Sequence, residues 1–396
     1  MNYLQVAKPL TLTNGQRIKN RFFKSAMSET MAENHQPDHR FAKLYGTWAA
    51  GGSGVIVTGN VMVDHRALAE PGNVVVEDEG SLPMLQKWAE AGTRNHTQLW
   101  MQLNHPGKQS PKYLSAQPAG PSAIRIDGPN AKYFNVPRAL TNSEIYAIID
   151  RFVHSAEIAQ KAGFTGVQIH GAFGYLVNQF LSQKDNQRTD EFGGSIENRM
   201  RFLIKIYQGI REACGAQFAI SLKLSVLDLR PDGFTEHDSI EVVEKMAELG
   251  IDLIEIAGDD YEDSTVGFSG YAHMLRQLVN VPIVLSGGFR TISTMEEAIG
   301  RDDADMIGIC TPMVVMPDLP NRILNGAYQA VRLPLTMGSR RLDEKYTAAF
   351  VIAYCEQQAR RIASGKQPQL YSSGWRALAA SVAMHGPEGL IPRRAQ

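Results

Sequence analysis

A histidine and a tyrosine lie five residues apart in the stretch HGAFGYLVNQF, residues 170–180. His170 could donate a hydrogen bond to a carbonyl oxygen, and the Tyr175 hydroxyl could protonate a neighbouring carbon. Phe173, which lies between them, can do neither. The stretch therefore predicts a catalytic loop for a bound carbonyl compound, with an apolar residue at its middle position.

Two further polar side chains end apolar runs. Lys223 lies one residue before the end of FAISLKL, where an unpaired buried ammonium would be costly, so we expect an anionic or carbonyl-rich ligand there. A salt bridge with Asp228 or Glu255 is the structural alternative. Gln102 lies one residue before the end of HTQLWMQL and offers a donor and an acceptor together, which suits the edge of a heterocycle or a structural amide.

The apolar runs that these residues end are short, rich in β-branched residues and separated by helix-period stretches. Such continuous runs are typical of parallel strands that are covered on both faces. Eight of them alternating with helices predict the α/β class and a (β/α)8 TIM barrel, in which chemistry occurs at the carboxyl ends of the strands. The predicted strands are 22–27, 54–61, 96–103, 166–172, 218–224, 253–258, 282–288 and 305–310.

Helix signals support this alternation. Thr141 and Glu144 have capping-box spacing before an apolar stripe that ends at Gly163, and a second helix is predicted from Thr235 to Gly250. Gly287 and Gly288 follow the seventh strand, where barrels often bind phosphate through backbone N–H groups. A tight turn without a ligand is the alternative for this glycine pair.

Three segments lie outside the repeated pattern. Residues 10–18 predict an N-terminal hairpin around Asn14-Gly15 that plugs the bottom of the barrel. Residues 104–140 predict an extended loop after the third strand, which forms a lid. The sequence therefore predicts a barrel domain over 1–335 and a C-terminal helical extension over 336–396. An amphipathic helix begins that extension, an irregular tail follows, and IPRRAQ could reach a neighbouring active site or remain solvated.

Composition narrows the function classes. The formal net charge of −1 favours neither a nucleic-acid partner nor an anionic membrane, and no run is long enough for a membrane span. The N-terminus shows no secretory signal, so a cytoplasmic location is expected. Three scattered cysteines argue against a disulfide framework, a zinc site or an iron–sulfur cluster, and no metal is expected. The tail could pack on the barrel or on a partner subunit, which leaves a homo-oligomer open.

Over residues 5–335 the sequence resembles the Old Yellow Enzyme family of FMN-dependent NAD(P)H:flavin oxidoreductases and ene-reductases. The most specific stretch is 162–202, in which RTDEFGGSIENR resembles the family signature and is interpreted as scaffolding. KNRFFKSAMSE, QLNHPGKQS, LKLSVLDLRPDGFT and SGGFRT support the resemblance.

The resemblance implies FMN as cofactor, NAD(P)H as reductant and a small-molecule substrate. His170 would anchor a carbonyl oxygen, Tyr175 would donate the proton, and Ser28 and Phe173 would border the substrate. Ser28 would also tune the flavin potential, Lys223 would stabilise reduced flavin, and Gly287 with Gly288 would hold the phosphate. The implied cofactor-binding residues are Ala26, Met27, Ser28, Gly59, Gln102, Lys223, Gly287, Gly288, Cys310 and Thr311.

The sequence departs from the family at three positions. The family pairs its histidine with a second histidine or asparagine, and this chain has Phe173 at that position. The alternative is that Phe173 turns away from the site and packs on the lid. Cys310-Thr311-Pro312 replaces Gly-Arg-Pro, so an arginine is missing near the phosphate unless Arg290 substitutes for it. Ala26 replaces the more usual proline.

These departures leave two hypotheses. The favoured one is an active NAD(P)H:flavin oxidoreductase that passes hydride to an activated alkene or related electrophile, with an altered oxygen-anchoring site. The alternative is a degenerate barrel that binds flavin or another phosphate ligand with little turnover and acts in binding or sensing. Flavin-dependent demethylation and dienoyl-CoA reduction are disfavoured, because the larger barrels that perform them carry a clustered-cysteine segment.

Overall fold

Eight parallel strands form a closed barrel in the computed structural model of the chain, which describes residues 4–228, 230–257 and 268–391. Each strand pairs with its neighbours in sequence order, and the last pairs with the first through Ile307–Phe22. The predicted barrel is confirmed, although Gly258 of the sixth predicted strand lies outside the described residues. The strands are β1 (Phe22–Lys24), β2 (Val55–Met62), β3 (Gln98–Asn104), β4 (Gly166–Gly171), β5 (Ala219–Ser225), β6 (Leu253–Ala257), β7 (Ile283–Ser286) and β8 (Met306–Ile309).

The lower part of the barrel interior is a packed apolar core that the N-terminal hairpin closes from below. Leu10–Thr11 pairs antiparallel with Arg17–Ile18, as the Asn14-Gly15 turn predicts. Leu12 and Ile18 belong to the same buried cluster as the inward-facing residues of the strands. The hairpin therefore plugs the amino-terminal end, and the carboxyl end remains available for chemistry.

Helices surround the barrel and begin at the predicted caps. Thr141 and Glu144 form the expected capping box, and Gly163 ends that helix with φ of 95°, a left-handed conformation that glycine adopts without strain. Thr235 caps a second helix, which ends before Gly250. The helices of the barrel are α1 (His39–Ala50), α2 (Leu82–Gly92), α3 (Asn142–Ala162), α4 (Leu176–Leu181), α5 (Ile196–Arg199), α6 (Arg201–Cys214), α7 (Glu236–Glu248), α8 (Ser269–Leu278), α9 (Ile292–Gly300), α10 (Thr311–Val315) and α11 (Leu319–Leu324).

The long loop after β3 is held in place by the motif RTDEFGGSIENR. Arg188 of the motif donates hydrogen bonds to the carbonyls of Pro121 and Leu140, at 3.0 and 2.6 Å, which ties the loop to the region around α4. Arg199 pairs with Asp238 at 2.7 Å, and both side chains are buried. These contacts agree with the interpretation of the motif as scaffolding.

The C-terminal extension contains two helices, α12 (Arg340–Ala363) and α13 (Gly374–His385). The expectation of an irregular tail beyond the first helix was therefore wrong over the residues of α13. A short loop returns the chain so that α13 packs on α12, and α12 packs in turn on α1 and α10. The extension thus lies against the barrel, and most of IPRRAQ falls outside the described residues. No helix of the described part of the chain is both long and apolar enough to cross a membrane.

Candidate active site

A cavity opens at the carboxyl ends of the barrel strands and collects most of the predicted site residues. Its lining comes from the loops after β1, β2 and β4, from the ends of β3, β5 and β8, and from α12. The lining residues are Ala26, Met27, Ser28, Asn60, Glu70, Gln102, His170, Phe173, Tyr175, Lys223, Cys310, Thr311, Val351, Ile352 and Cys355.

The loop after β4 places a hydrogen-bond donor and a phenol side by side. The rings of His170 and Tyr175 meet edge to face with centroids 4.9 Å apart. The backbone N–H of Ala172 donates to Nδ1 of His170 at 3.3 Å, so the neutral imidazole carries its proton on Nε2. His170 can therefore donate from Nε2 to an oxygen, and Tyr175 offers a second acidic hydrogen in the same cavity.

Phe173 faces the cavity beside these two residues. Its ring centroid lies 5.9 Å from that of His170 and 5.2 Å from Nζ of Lys223. Its φ of 58° lies in the left-handed region, where asparagine and histidine are several-fold enriched and phenylalanine is uncommon. Ser225 and Gln109 hold this backbone through hydrogen bonds to its N–H (3.0 Å) and its carbonyl (2.5 Å). The surrounding loop therefore enforces a conformation that favours the residue types found in the family.

Four buried side chains connect the ends of β3, β4, β5 and β6. Gln102 donates to Gln168 at 2.8 Å, and Gln168 donates to Glu255 at 2.9 Å. Glu255 also pairs with Nζ of Lys223 at 3.3 Å. Of the two carboxylates considered from the sequence, Glu255 is thus the partner, whereas Asp228 pairs with Arg230. We call this network, together with His170, the polar side of the cavity.

The opposite side of the barrel mouth is apolar. Ala26 at the end of β1 and Cys310 at the end of β8 meet three residues of α12, and β1 and β8 lie across the barrel from β5 and β4. Burial raises the pKa of Cys310, and it raises the pKa of Cys355 to about 12, so both sulfurs are neutral thiols. We call Ala26, Cys310, Val351, Ile352 and Cys355 the apolar side.

A carboxyl group that no sequence pattern pointed to, that of Glu70, also lines the cavity. Glu70 is buried in the loop after β2, where it accepts hydrogen bonds from the Ser28 hydroxyl and from Nδ2 of Asn73, the latter at 3.2 Å. The segment around Glu70 has no helix or strand periodicity, so no local pattern could indicate that it returns to Ser28. Ser28 therefore donates its hydroxyl hydrogen to a buried carboxyl group.

Three predicted cofactor-binding residues do not line the cavity. The N–H of Gly59 donates to Glu29 at 2.9 Å, and a side chain at this position would collide with Glu29 and with the carbonyl of Met27. Asn60 faces the cavity instead, next to a register shift in the pairing of β2 with β3. Gly287 and Gly288 have φ of 117° and 71° at the turn after β7.

Arg290 lies just beyond that turn. It is the residue expected from the sequence to substitute for the arginine missing at Thr311. Its Nη1 donates to the carbonyl of Phe289 at 2.9 Å, and no carboxylate among the described residues pairs with it. Burial lowers the pKa of Arg290. A partly buried cation without an acidic partner fits an anionic ligand at this corner.

These donors fit the parts of FMN. The polar side offers amide and ammonium groups that suit the pyrimidine carbonyls and the negative charge of a reduced flavin. Arg290 and the turn at Gly287 and Gly288 suit a phosphate monoester. The residues that are present are therefore compatible with this cofactor.

Known proteins are similar to this chain in sequence and in fold. The profile of the NADH:flavin oxidoreductase / NADH oxidase family matches residues 5–330. The NADH-dependent flavin oxidoreductase iliE of Hypocrea jecorina (strain QM6a) is 33% identical over 363 residues, which cover 82% of this chain and 90% of that protein. The protein of the same name from Neonectria sp. (strain DH2) is 34% identical over 358 residues, but the match spans only 46% of its length and 80% of this chain.

A solved structure agrees with the fold. The old yellow enzyme homologue from Zymomonas mobilis is similar with a TM-score of 0.73 and 26% sequence identity, covering 83% of this chain and 94% of that chain. The barrel fold is thus shared with a protein of known structure.

Proposed function

Because the chain belongs to the NADH:flavin oxidoreductase / NADH oxidase family, that of the Old Yellow Enzymes, we propose that it is an FMN-dependent oxidoreductase. It oxidises NADH or NADPH and reduces an activated alkene or a related electrophile. The observation that carries this proposal is the meeting of His170, Tyr175 and Lys223 in one cavity at the barrel mouth. When bound, FMN supplies the hydride chemistry that these side chains lack.

Cofactor binding divides between two clusters. Gln102 and Lys223 bind the polar end of the ring system, and Glu255 holds the ammonium of Lys223 in position through their 3.3 Å contact. Arg290, Gly287 and Gly288 bind the phosphate in place of the arginine missing at Thr311. Replacing one charge-assisted contact by another keeps an interaction of about 1.5–3 kcal/mol.

His170 and Tyr175 act on the substrate. His170 donates from Nε2 to the carbonyl oxygen, which draws electrons from the conjugated double bond. Tyr175 then supplies a proton to the carbon next to the carbonyl. Both side chains are at least 97% buried, so the proton is donated in a site from which most bulk water is excluded.

Phe173 determines which substrates suit the site. Losing one of two donors to a developing oxyanion typically costs about 2.7–4 kcal/mol, so small enones that depend on two hydrogen bonds react slowly. An aromatic or bulky electrophile can offset this loss by packing on the Phe173 ring. The proposed substrate class is therefore apolar or aromatic activated alkenes.

The visible absorption spectrum of the purified protein tests the proposal. We expect a bound flavin whose long-wavelength band bleaches when NADH or NADPH is added without oxygen and returns when an activated alkene follows. A phenol should then give a charge-transfer band if His170 holds the phenolate oxygen. A bound flavin that stays oxidised with both nucleotides would overturn the oxidoreductase function. The binding or sensing function would then be the remaining candidate.

The binding or sensing protein remains the second candidate because of two specific positions. Phe173 occupies the place of the second oxygen donor, and Thr311 occupies the place of an arginine. A Phe173→Asn variant separates the two functions. A large gain with small and with apolar or aromatic alkenes alike indicates lost turnover. A loss with apolar or aromatic alkenes indicates a pocket specialised for such substrates, whatever the gain with small enones.

A further inference from the structure

Helix α12 forms one wall of the cavity, although it lies beyond residue 330, where the match to the family ends. Val351, Ile352 and Cys355 are its lining residues. We infer that this wall is part of the cofactor site and seats the dimethylbenzene edge of FMN. The C-terminal extension therefore completes a site that the family region alone leaves open. This inference rests on the proposed function, since it requires FMN as the cofactor.

The polarity of the cavity supports this orientation of the flavin. An isoalloxazine ring has a polar pyrimidine end, with two carbonyls and an N–H, and an apolar dimethylbenzene end. The cavity changes in the same way, from the polar side at the ends of β3 to β6 to the apolar side at β1, β8 and α12. The reverse orientation would bury the pyrimidine carbonyls against Ile352 and Cys355 without hydrogen bonds, which is costly.

The thiols suit an apolar wall. Cys310 and Cys355 come from β8 and α12, and both are free cysteines, Cys355 being fully enclosed. A neutral thiol packs as a small apolar side chain, so the two sulfurs contribute contact area and no charge. The wall thus offers an apolar surface near Thr311, at the point where the family has a cation.

Buried polar contacts hold α12 against the loop after β1, which carries Met27 and Ser28. Glu356 of α12 is completely buried and lies 3.3 Å from Nε2 of His385 on α13. The same nitrogen lies 3.3 Å from the Thr30 hydroxyl, and Arg360 donates to the carbonyl of Thr30. These contacts join both helices of the extension to the loop, so α12 is a fixed wall of the site.

The test is the dissociation constant of FMN, measured on the full-length apoprotein by quenching of flavin fluorescence. Ile352→Asn places an amide at the apolar end and should raise this constant at least about tenfold. Ile352→Leu keeps the apolar contact and should leave it within about twofold. Cys355→Ser is the second polar variant, used if Ile352→Asn does not fold as judged by its thermal transition.

Val382→Asn is the matched control, because Val382 lies on α13 of the same extension and is 36% exposed. It should bind FMN like the wild type. Unchanged FMN affinity in Ile352→Asn, or in Cys355→Ser where Ile352→Asn does not fold, would overturn the inference, whatever happens to substrate preference. A wild-type protein that binds no FMN would instead overturn the proposed function, so the two failures are distinguishable.

Discussion

The polar and apolar sides of the cavity are built by different kinds of contact. On the polar side, Gln102, Gln168, Glu255 and Lys223 come from four adjacent strands and hydrogen-bond in a chain, so each depends on the next. On the apolar side, segments from the two ends of the sequence meet through packing. The effects of substitutions on the polar side are therefore expected to be non-additive, whereas the effects of substitutions on the apolar side should be nearly additive.

Breaking the polar side should have the largest effect. Glu255→Ala leaves the buried ammonium of Lys223 and the amide of Gln168 without their acceptor, so we expect the free energy of unfolding to fall by about 3–5 kcal/mol. Denaturant unfolding measures the change. Lys161→Ala is the control, because Lys161 and Glu79 form an exposed pair that should contribute at most about 1 kcal/mol. Equal effects of the two substitutions would contradict a cooperative polar side.

Phe173→Asn tests the effect of the apolar side chain that lies next to His170 and Lys223 on the polar side. Asparagine restores a second donor beside His170, so kcat/KM for a small cyclic enone should rise by two to three decades, about 2.7–4 kcal/mol. The φ of 58° at this position suits asparagine. The Tm of the variant should therefore not fall, although an apolar contact is lost. Phe173→Leu, which adds no donor, is the control. A similar gain in both variants would attribute the effect to pocket volume.

Acid should lower the free energy of unfolding through His105, which lies in the loop after β3. Burial lowers the pKa of His105 from 6.5 to about 4, so the unfolded chain binds more protons between these two values. The free energy of unfolding should therefore fall as the pH drops from 6.5 towards 4, by up to about 3 kcal/mol. His105→Gln keeps an acceptor for the N–H of Gly107 and should flatten this part of the curve.

The exposed His154 provides the control for that experiment. Urea unfolding of His154→Gln should follow the wild-type pH dependence. If His105→Gln also kept the full wild-type dependence, another group would be responsible for the acid sensitivity.

Glu70→Gln should have the smallest effect. It removes a negative charge from the cavity, so the flavin midpoint potential should become more positive by at most about 30 mV, the equivalent of 1.4 kcal/mol. Spectroelectrochemical titration measures this potential. Glu79→Gln, an exposed substitution outside the cavity, should leave it unchanged. A shift to more negative potentials would mean that Glu70 is neutral or acts through Ser28 alone.

Local patterns in the sequence determined the frame of the molecule. Continuous apolar runs located all eight strands, the Thr141 and Thr235 caps located the starts of two helices, and Asn14-Gly15 located the hairpin. Strand ends then indicated Gln102, His170 and Lys223, because a barrel brings these ends to one mouth. Such features depend on neighbours within a few residues, and the chain expresses them directly.

Only the tertiary structure decided how these parts combine. The choice of Glu255 over Asp228 as the partner of Lys223 depends on the register of β5 with β6, which pairs Lys223 with Glu255. The return of Glu70 to Ser28 and the docking of α12 depend on contacts between residues far apart in the chain. A side chain's neighbours across such distances follow from the packing of the whole barrel, and no local periodicity encodes them. The sequence therefore indicated which strand-end groups could do chemistry, and the fold set what surrounds them.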